Sequence, residues 1–161
     1  MPNSLLESFQ SLPQHQQIEI LAEMTQDEIF SLLYDWEAWA RPEQLEPTIP
    51  WSIWLLLTGR GFGKTLTGAQ TTRKKVEKEG VVSIALVAPT AADARDVMLG
   101  LLPDSSGLMQ VCPPWNRPEY HPSYRSATWP NGATATLFSA EEPERLRGPQ
   151  HQFAWGDEPA S

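Results

Sequence analysis

Two short segments hold side chains whose types and spacing could do chemistry together. The first is Thr58-Gly-Arg-Gly-Phe-Gly-Lys-Thr65. Glycines let backbone amides turn inward around phosphate oxygens, and a following helix adds the positive end of its dipole. Lys64 would then reach the β- and γ-phosphates of a nucleotide, and Thr65 would offer its hydroxyl to Mg²⁺. Gly59, Gly61 and Gly63 supply the backbone freedom such a loop needs. The strict phosphate-loop spacing asks for glycine five places before Gly63, and Thr58 stands there. The plain alternative is a glycine-rich turn carrying a surface lysine. The second segment is Phe153-Ala-Trp-Gly-Asp-Glu158, a short apolar run ending in two carboxylates. An aspartate at a strand end can hold Mg²⁺, and a glutamate beside it can deprotonate an attacking water. Successive strand residues point to opposite sides, so adjacent acids can do different jobs. An acidic pair at the start of a solvated loop is the competing reading, and Gly156 is a poor strand residue.

These residues act only if elements position them. Ile53 to Leu57 is a continuous apolar run between turn signals, which predicts a buried parallel strand leading into the glycine loop. A helix is predicted from the loop to about Lys78, where Gly80 ends it. A second buried strand is predicted over 81–87, then a helix over roughly 91–102 after Pro89. The stretch 103–122 holds five prolines and reads as a loop. Residues 125–129 and 133–138 flank Pro-Asn-Gly, a strong hairpin signal. A polar loop follows at 141–150, and a last strand at 153–156. Upstream, helices are predicted over 4–12, 14–24 and 26–40, with Thr25 and Glu28 forming a capping box. Residues 41–50 hold three prolines and close that section. Alternation of strand and helix predicts an α/β domain with a largely parallel central sheet, preceded by N-terminal helices.

Composition narrows the classes. The chain has 161 residues, 40% hydrophobic and 20% charged, which fits one globular domain and excludes a disordered or collagenous chain. No apolar run reaches the length of about 18 residues that a membrane-spanning helix needs, and the N-terminus has no secretory pattern. The one cysteine, Cys112, excludes an intramolecular disulfide and a cysteine-cluster zinc site. Residues 1–50 carry nine acids against Arg41 alone, whereas residues 51–161 are balanced. A bulk basic footprint for nucleic acid is therefore absent.

The segments ARPEQLEP (40–47), WLLLTGRGFGKT (54–65), LVAPT (86–90), TWPNGA (128–133), FSAEEPERLRGPQ (138–150) and FAWGDE (153–158) resemble the ATPase domain of bacteriophage terminase large subunits. Those proteins are the DNA-packaging motors of tailed phages. The resemblance covers nearly the whole chain, and RLRGPQ followed by an acidic strand end is its narrowest motif. It implies a P-loop NTPase fold of the additional-strand, catalytic-glutamate type. It divides the chain into a helical segment with an adenine-side loop (1–50) and a P-loop ATPase core (51–161). It implies ATP hydrolysis that pushes double-stranded DNA into a procapsid, with ATP and Mg²⁺ as cofactors.

Residue by residue, Lys64 and Thr65 match the phosphate and Mg²⁺ positions. Asp157 matches the metal-binding aspartate and Glu158 the catalytic glutamate. Arg60 matches an arginine used near the γ-phosphate. Arg41 and Gln44 match the segment that contacts adenine. Arg147 matches the arginine proposed to act on a neighbouring subunit's nucleotide. The implied partners are double-stranded DNA, a portal, a small terminase subunit and further copies of the chain in a ring, in the host cytoplasm and without a membrane. The family continues into a coupling motif, further strands and a ribonuclease H-like nuclease domain. None of these is found in residues 1–161, so a C-terminally incomplete core without nuclease activity is expected.

Other readings remain beside this one. A truncated relic would at most bind nucleotide, and a helicase-like ATPase shares the loop, the Ala-Pro-Thr segment and the acidic pair. Arg145 and Arg147 can pair with Glu141, Glu142 or Glu144. Gln44 can be an ordinary loop residue. The tryptophans at 36, 39, 51 and 54 suit packing better than adenine stacking. Arg73, Lys74, Lys75 and Lys78 suit the C-terminal end of a helix dipole, with DNA contact as the alternative. The three histidines are too scattered for a metal site, and Cys112 is expected to be inert.

Overall fold

The computed structural model describes residues 5–158, with backbone alone for residues 5–7. The chain divides into two units, Met1–Leu55 and Leu56–Ser161.

The first unit is helical: α1 (Leu5–Gln10), α2 (Gln14–Glu23), α3 (Gln26–Leu33) and α4 (Trp36–Trp39). The capping box forms. Glu28 N donates to Thr25 Oγ1 at 3.3 Å, and Thr25 N donates to the Glu28 carboxylate at 2.8 Å. The helix expected over 26–40 breaks after Leu33. Asp35 is the cause: its carboxylate accepts from Ala38 N at 3.4 Å and starts α4. A short carboxylate offers the backbone an alternative to the helical ladder. The Trp39 indole N–H then donates to the Leu32 carbonyl. A 3₁₀ turn over Pro42–Gln44 follows.

In the second unit, α5 (Lys64–Lys78) follows the glycine loop, and five strands form one sheet. They are β1 (Ser83–Ala88), β2 (Glu119–His121), β3 (Ser126–Thr128), β4 (Thr134–Ser139) and β5 (Phe153–Gly156), in the order β2-β3-β4-β1-β5. Central β1 pairs in parallel with β4 and β5, Leu86 lying opposite Leu137 and Trp155. The β2–β3 and β3–β4 ladders are antiparallel. The sheet is mixed, which corrects the expectation of a largely parallel one. The hairpin at Asn131-Gly132 is one reason. Gly132 takes φ 87° and Asn131 Oδ1 accepts from Ala133 N at 3.0 Å. Such a turn joins antiparallel strands without a crossover. The other reason is β2, which arises inside the stretch expected to be loop, after α7 (Leu108–Val111).

The strand predicted at Ile53–Leu57 is not formed. Ile53, Leu55 and Leu57 are 87%, 69% and 83% exposed. An apolar run becomes a strand only where another edge takes its N–H and C=O groups, and among the described residues no strand pairs with it. The helix predicted over 91–102 is also shorter. Thr90 caps α6 (Ala91–Asp93), which continues as π-type turns over Ala94–Met98. Gly100, at φ 85°, stops it and packs on Gly107. The core lies along β1 and β4, where Ile84, Leu86, Ala135 and Leu137 meet Ala69 and Val76 of α5 and Met98, Leu99 and Leu108. Among the described residues no helix is long and apolar enough to cross a membrane.

Candidate functional site

The glycine loop bends because Gly61 and Gly63 take φ values of 79° and 85°, a region costly for residues with a Cβ. Gly63 then serves as the N-cap of α5, which begins at Lys64. Lys64 Nζ donates to the Thr58 carbonyl at 3.2 Å and to the Gly59 carbonyl at 3.3 Å. The ammonium thus rests on its own loop's backbone.

Across 92 positions of sequence, Thr65 Oγ1 donates to Asp157 Oδ2 at 3.2 Å. β5 delivers Asp157 to that place, and Asp157 N donates to the Val87 carbonyl at 2.9 Å, which ties the strand end to β1. Burial pushes the Asp157 carboxyl above the usual carboxylate range. The Thr65 hydrogen bond and the Lys64 charge oppose that rise, while the Glu158 and Asp93 charges add to it. A bound cation would relieve this, because it favours the charged form. Glu158 is exposed and takes φ 47°, which turns the chain sharply out of the strand. A left-handed residue with a side chain costs on the order of 1 kcal/mol.

These groups line one open cleft of about 420 Å³, with Arg60, Gly61, Gly63, Lys64 and Thr65 on one side and Asp157 and Glu158 beside them. That volume lies in the range of small-molecule sites, roughly 300–1,000 Å³. Pro89, Asp93, Val97, Met98 and Ser106 are also part of the wall. No group of three or more His, Cys, Asp or Glu side chains among the described residues is placed to hold a metal. One carboxylate and one hydroxyl are an ordinary partial set for Mg²⁺, which keeps waters and takes phosphate oxygens as well.

The remaining predicted residues are not among those that line the cleft. Gly59 touches Lys64 through its carbonyl. Arg147 is exposed and pairs with Glu144 at 2.8 Å, while Arg145 pairs with Glu142 at 3.2 Å. Arg41 and Gln44 belong to the first unit, where Gln44 is 5% exposed and its Oε1 accepts from Arg41 N at 3.1 Å.

Three contributors escape a reading by motif. Asp93 lines the cleft and accepts from the Thr90 hydroxyl at 2.6 Å. Its signal was Thr90 standing three residues before it, a helix-start pattern. Gly68 and Trp155 meet where α5 crosses β5. Their signal was a glycine inside a predicted helix, which usually has a packing reason.

A family model described as terminase large subunit, T4likevirus-type, N-terminal, matches residues 55–161, two thirds of the chain. Neither the curated proteins nor the solved structures yield a match.

Proposed function

The chain belongs to the T4-like terminase large subunit family, whose members serve phage DNA packaging, and on that premise we propose that its second unit is a P-loop ATPase of the additional-strand, catalytic-glutamate type. It would hydrolyse ATP to move double-stranded DNA into a procapsid, in the host cytoplasm. The observation that carries this reading is the 3.2 Å hydrogen bond between Thr65 and Asp157. It brings together, across 92 residues of sequence, the two segments that the reading assigns to a nucleotide·metal site.

Thr65 and Asp157 would hold Mg²⁺, which neutralises charge on the phosphate oxygens. Lys64 would exchange its two carbonyl partners for β- and γ-phosphate oxygens. Backbone amides of Gly59 to Gly63 would cradle the same phosphates at the start of α5. Glu158 would take a proton from a water as its oxygen attacks the γ-phosphorus. The bond to the bridging oxygen breaks, giving ADP and inorganic phosphate. Arg60, at the rim, would counter the charge on the transferring group. Arg147 of a neighbouring copy would add a second guanidinium. Its present partner Glu144 is a weak hold, since exposed ion pairs are worth about 0–1 kcal/mol. A ring of copies on a portal, with a small terminase subunit, completes the reading.

The unformed strand at Ile53–Leu57 favours a second reading, in which the chain binds nucleotide without turnover. One experiment separates the two. Lys64→Ala should abolish both ATP binding and hydrolysis. Glu158→Gln should keep ATP binding within a few fold and lower hydrolysis by about 10²–10⁴. Binding in the parent chain with no hydrolysis would leave the binding-only reading. Near-normal turnover in Glu158→Gln would remove the assigned base.

A further inference from the structure

Thr65 and Asp157 come from an element pair whose spacing something must set. Phe153 and Trp155 alternate along β5, and Asp157 follows its end in the same phase, so all three face α5. On α5, Thr65, Gly68 and Lys75 are three and seven residues apart, which puts them on one stripe. They meet as three rungs. Lys75 Nζ lies 5.9 Å from the centroid of the Phe153 ring. Gly68 lies under the Trp155 indole. Thr65 Oγ1 donates to Asp157 Oδ2 at 3.2 Å.

The middle rung leaves no slack. A Cβ added to Gly68 would lie 2.6 Å from Trp155 Cζ2 and closer still to Nε1 and Cε2. Trp155 is 8% exposed and backed by β1, where Leu86 is its register partner. Gly68 sits inside α5 with ordinary helical backbone, not in the left-handed region. Conformation therefore gives no reason for glycine there, and a helix interior ordinarily favours alanine. The reason is the indole.

We infer that the Gly68–Trp155 contact is the gauge that sets the Thr65–Asp157 separation, and so makes Gly68 and Trp155 positioning residues for the metal·nucleotide site. Carbon atoms in contact need about 3.5–4.0 Å. A methyl at Gly68, which would lie 2.2 Å from Trp155 Cε2, therefore drives α5 and β5 apart by about 1–2 Å. Added to 3.2 Å, that takes the outer rung beyond hydrogen-bond range. Lys64 and the glycine loop move with α5 but keep their local shape, because the loop's left-handed glycines, not the indole, set it. The contact thus acts on the metal side of the site more than on the phosphate side. This inference rests on the proposed reading of the cleft as an ATP·Mg²⁺ site.

The test uses the full chain and reads thermal stabilisation by ATP as Mg²⁺ is titrated, with circular dichroism as the folding check. The parent chain should be stabilised by ATP in a Mg²⁺-dependent way. Gly68→Ala should raise the Mg²⁺ concentration at half-effect by tenfold or more. The double variant Gly68→Ala, Trp155→Leu, which gives the methyl room, should return it to within threefold of the parent. An unchanged Mg²⁺ requirement in Gly68→Ala overturns the inference and leaves the site reading intact. A raised requirement that the double variant does not recover also overturns it. Where Gly68→Ala does not fold, the double variant decides. A folded protein with near-parental Mg²⁺ response supports the gauge, and a weak response or no cooperative transition overturns it. Absence of any Mg²⁺-dependent ATP effect in the parent overturns the site reading itself, and the inference with it.

Discussion

Asp157 is half-buried, and burial, with the nearby charges of Glu158 and Asp93, disfavours its ionised form. A carboxyl whose folded pKa is raised binds its proton more tightly in the native state than when unfolded. Stability contributed by that proton is full at low pH and is lost as pH rises from the ordinary value of 3.8 through the raised one. At neutral pH the charge is then a standing penalty. Asp157→Asn should raise Tm at pH 7 without ligand. The gain should vanish below about pH 4, and the response to Mg²⁺·ATP should be lost. Differential scanning fluorimetry at several pH values reads both, and a lower Tm at pH 7 would refute the assignment. Cys112 is buried and its thiol is pushed up to about 12, chiefly by desolvation. Thiolate is the reactive form, so labelling by an aromatic disulfide at pH 8 should be about a thousandfold slower than for a free thiol. Denaturant should restore the rate.

Glycines separate two kinds of element. Gly132 closes the β3–β4 turn at φ 87°, and a Cβ there would meet nothing within 4 Å. Gly132→Ala should therefore cost only backbone strain, about 1–2 kcal/mol, and leave nucleotide binding alone. Urea unfolding followed beside an ATP titration checks both halves of that statement. Gly68 is the reverse case, helical in backbone but crowded by an indole. The break between α3 and α4 is also an element-scale event. Hydrophobic periodicity runs through Tyr34 and Asp35, but Asp35 caps a new helix and the ladder stops. Local hydrogen bonding wins there because the Asp35 carboxylate and carbonyl both accept from Ala38 N, at 3.4 and 3.1 Å, in place of the helical ladder.

Across the whole molecule, stability should follow β1 rather than the apolar run ahead of the loop. Leu86 is fully buried between β4 and β5, so Leu86→Ala should cost about 2–5 kcal/mol. Leu57 is 83% exposed, so Leu57→Ser should stay within about 0.5 kcal/mol. Equilibrium denaturation of the two variants measures the difference. A large loss in Leu57→Ser would mean that the run is packed in solution after all. The mixed sheet has the same origin at this scale. The parallel ladders β1·β4 and β1·β5 join strands distant in sequence, whereas the β3–β4 antiparallel arm grows from a local hairpin.

What the sequence alone determined is local in its physics. The loop glycines, Lys64, Thr65, the capping box at Thr25 and the Asn131-Gly132 hairpin each depend on neighbours within a few residues. Each is found where its residues predict it. Tertiary structure decided the rest. Which strand edges pair depends on partners far along the chain, so Ile53 to Leu57 could read as a strand and yet form none. The meeting of Thr65 with Asp157, the entry of Asp93 into the cleft and the seating of Trp155 on Gly68 are contacts between distant segments. No periodicity encodes them. They follow from how closely α5 can approach β5, which is a matter of volume and not of pattern.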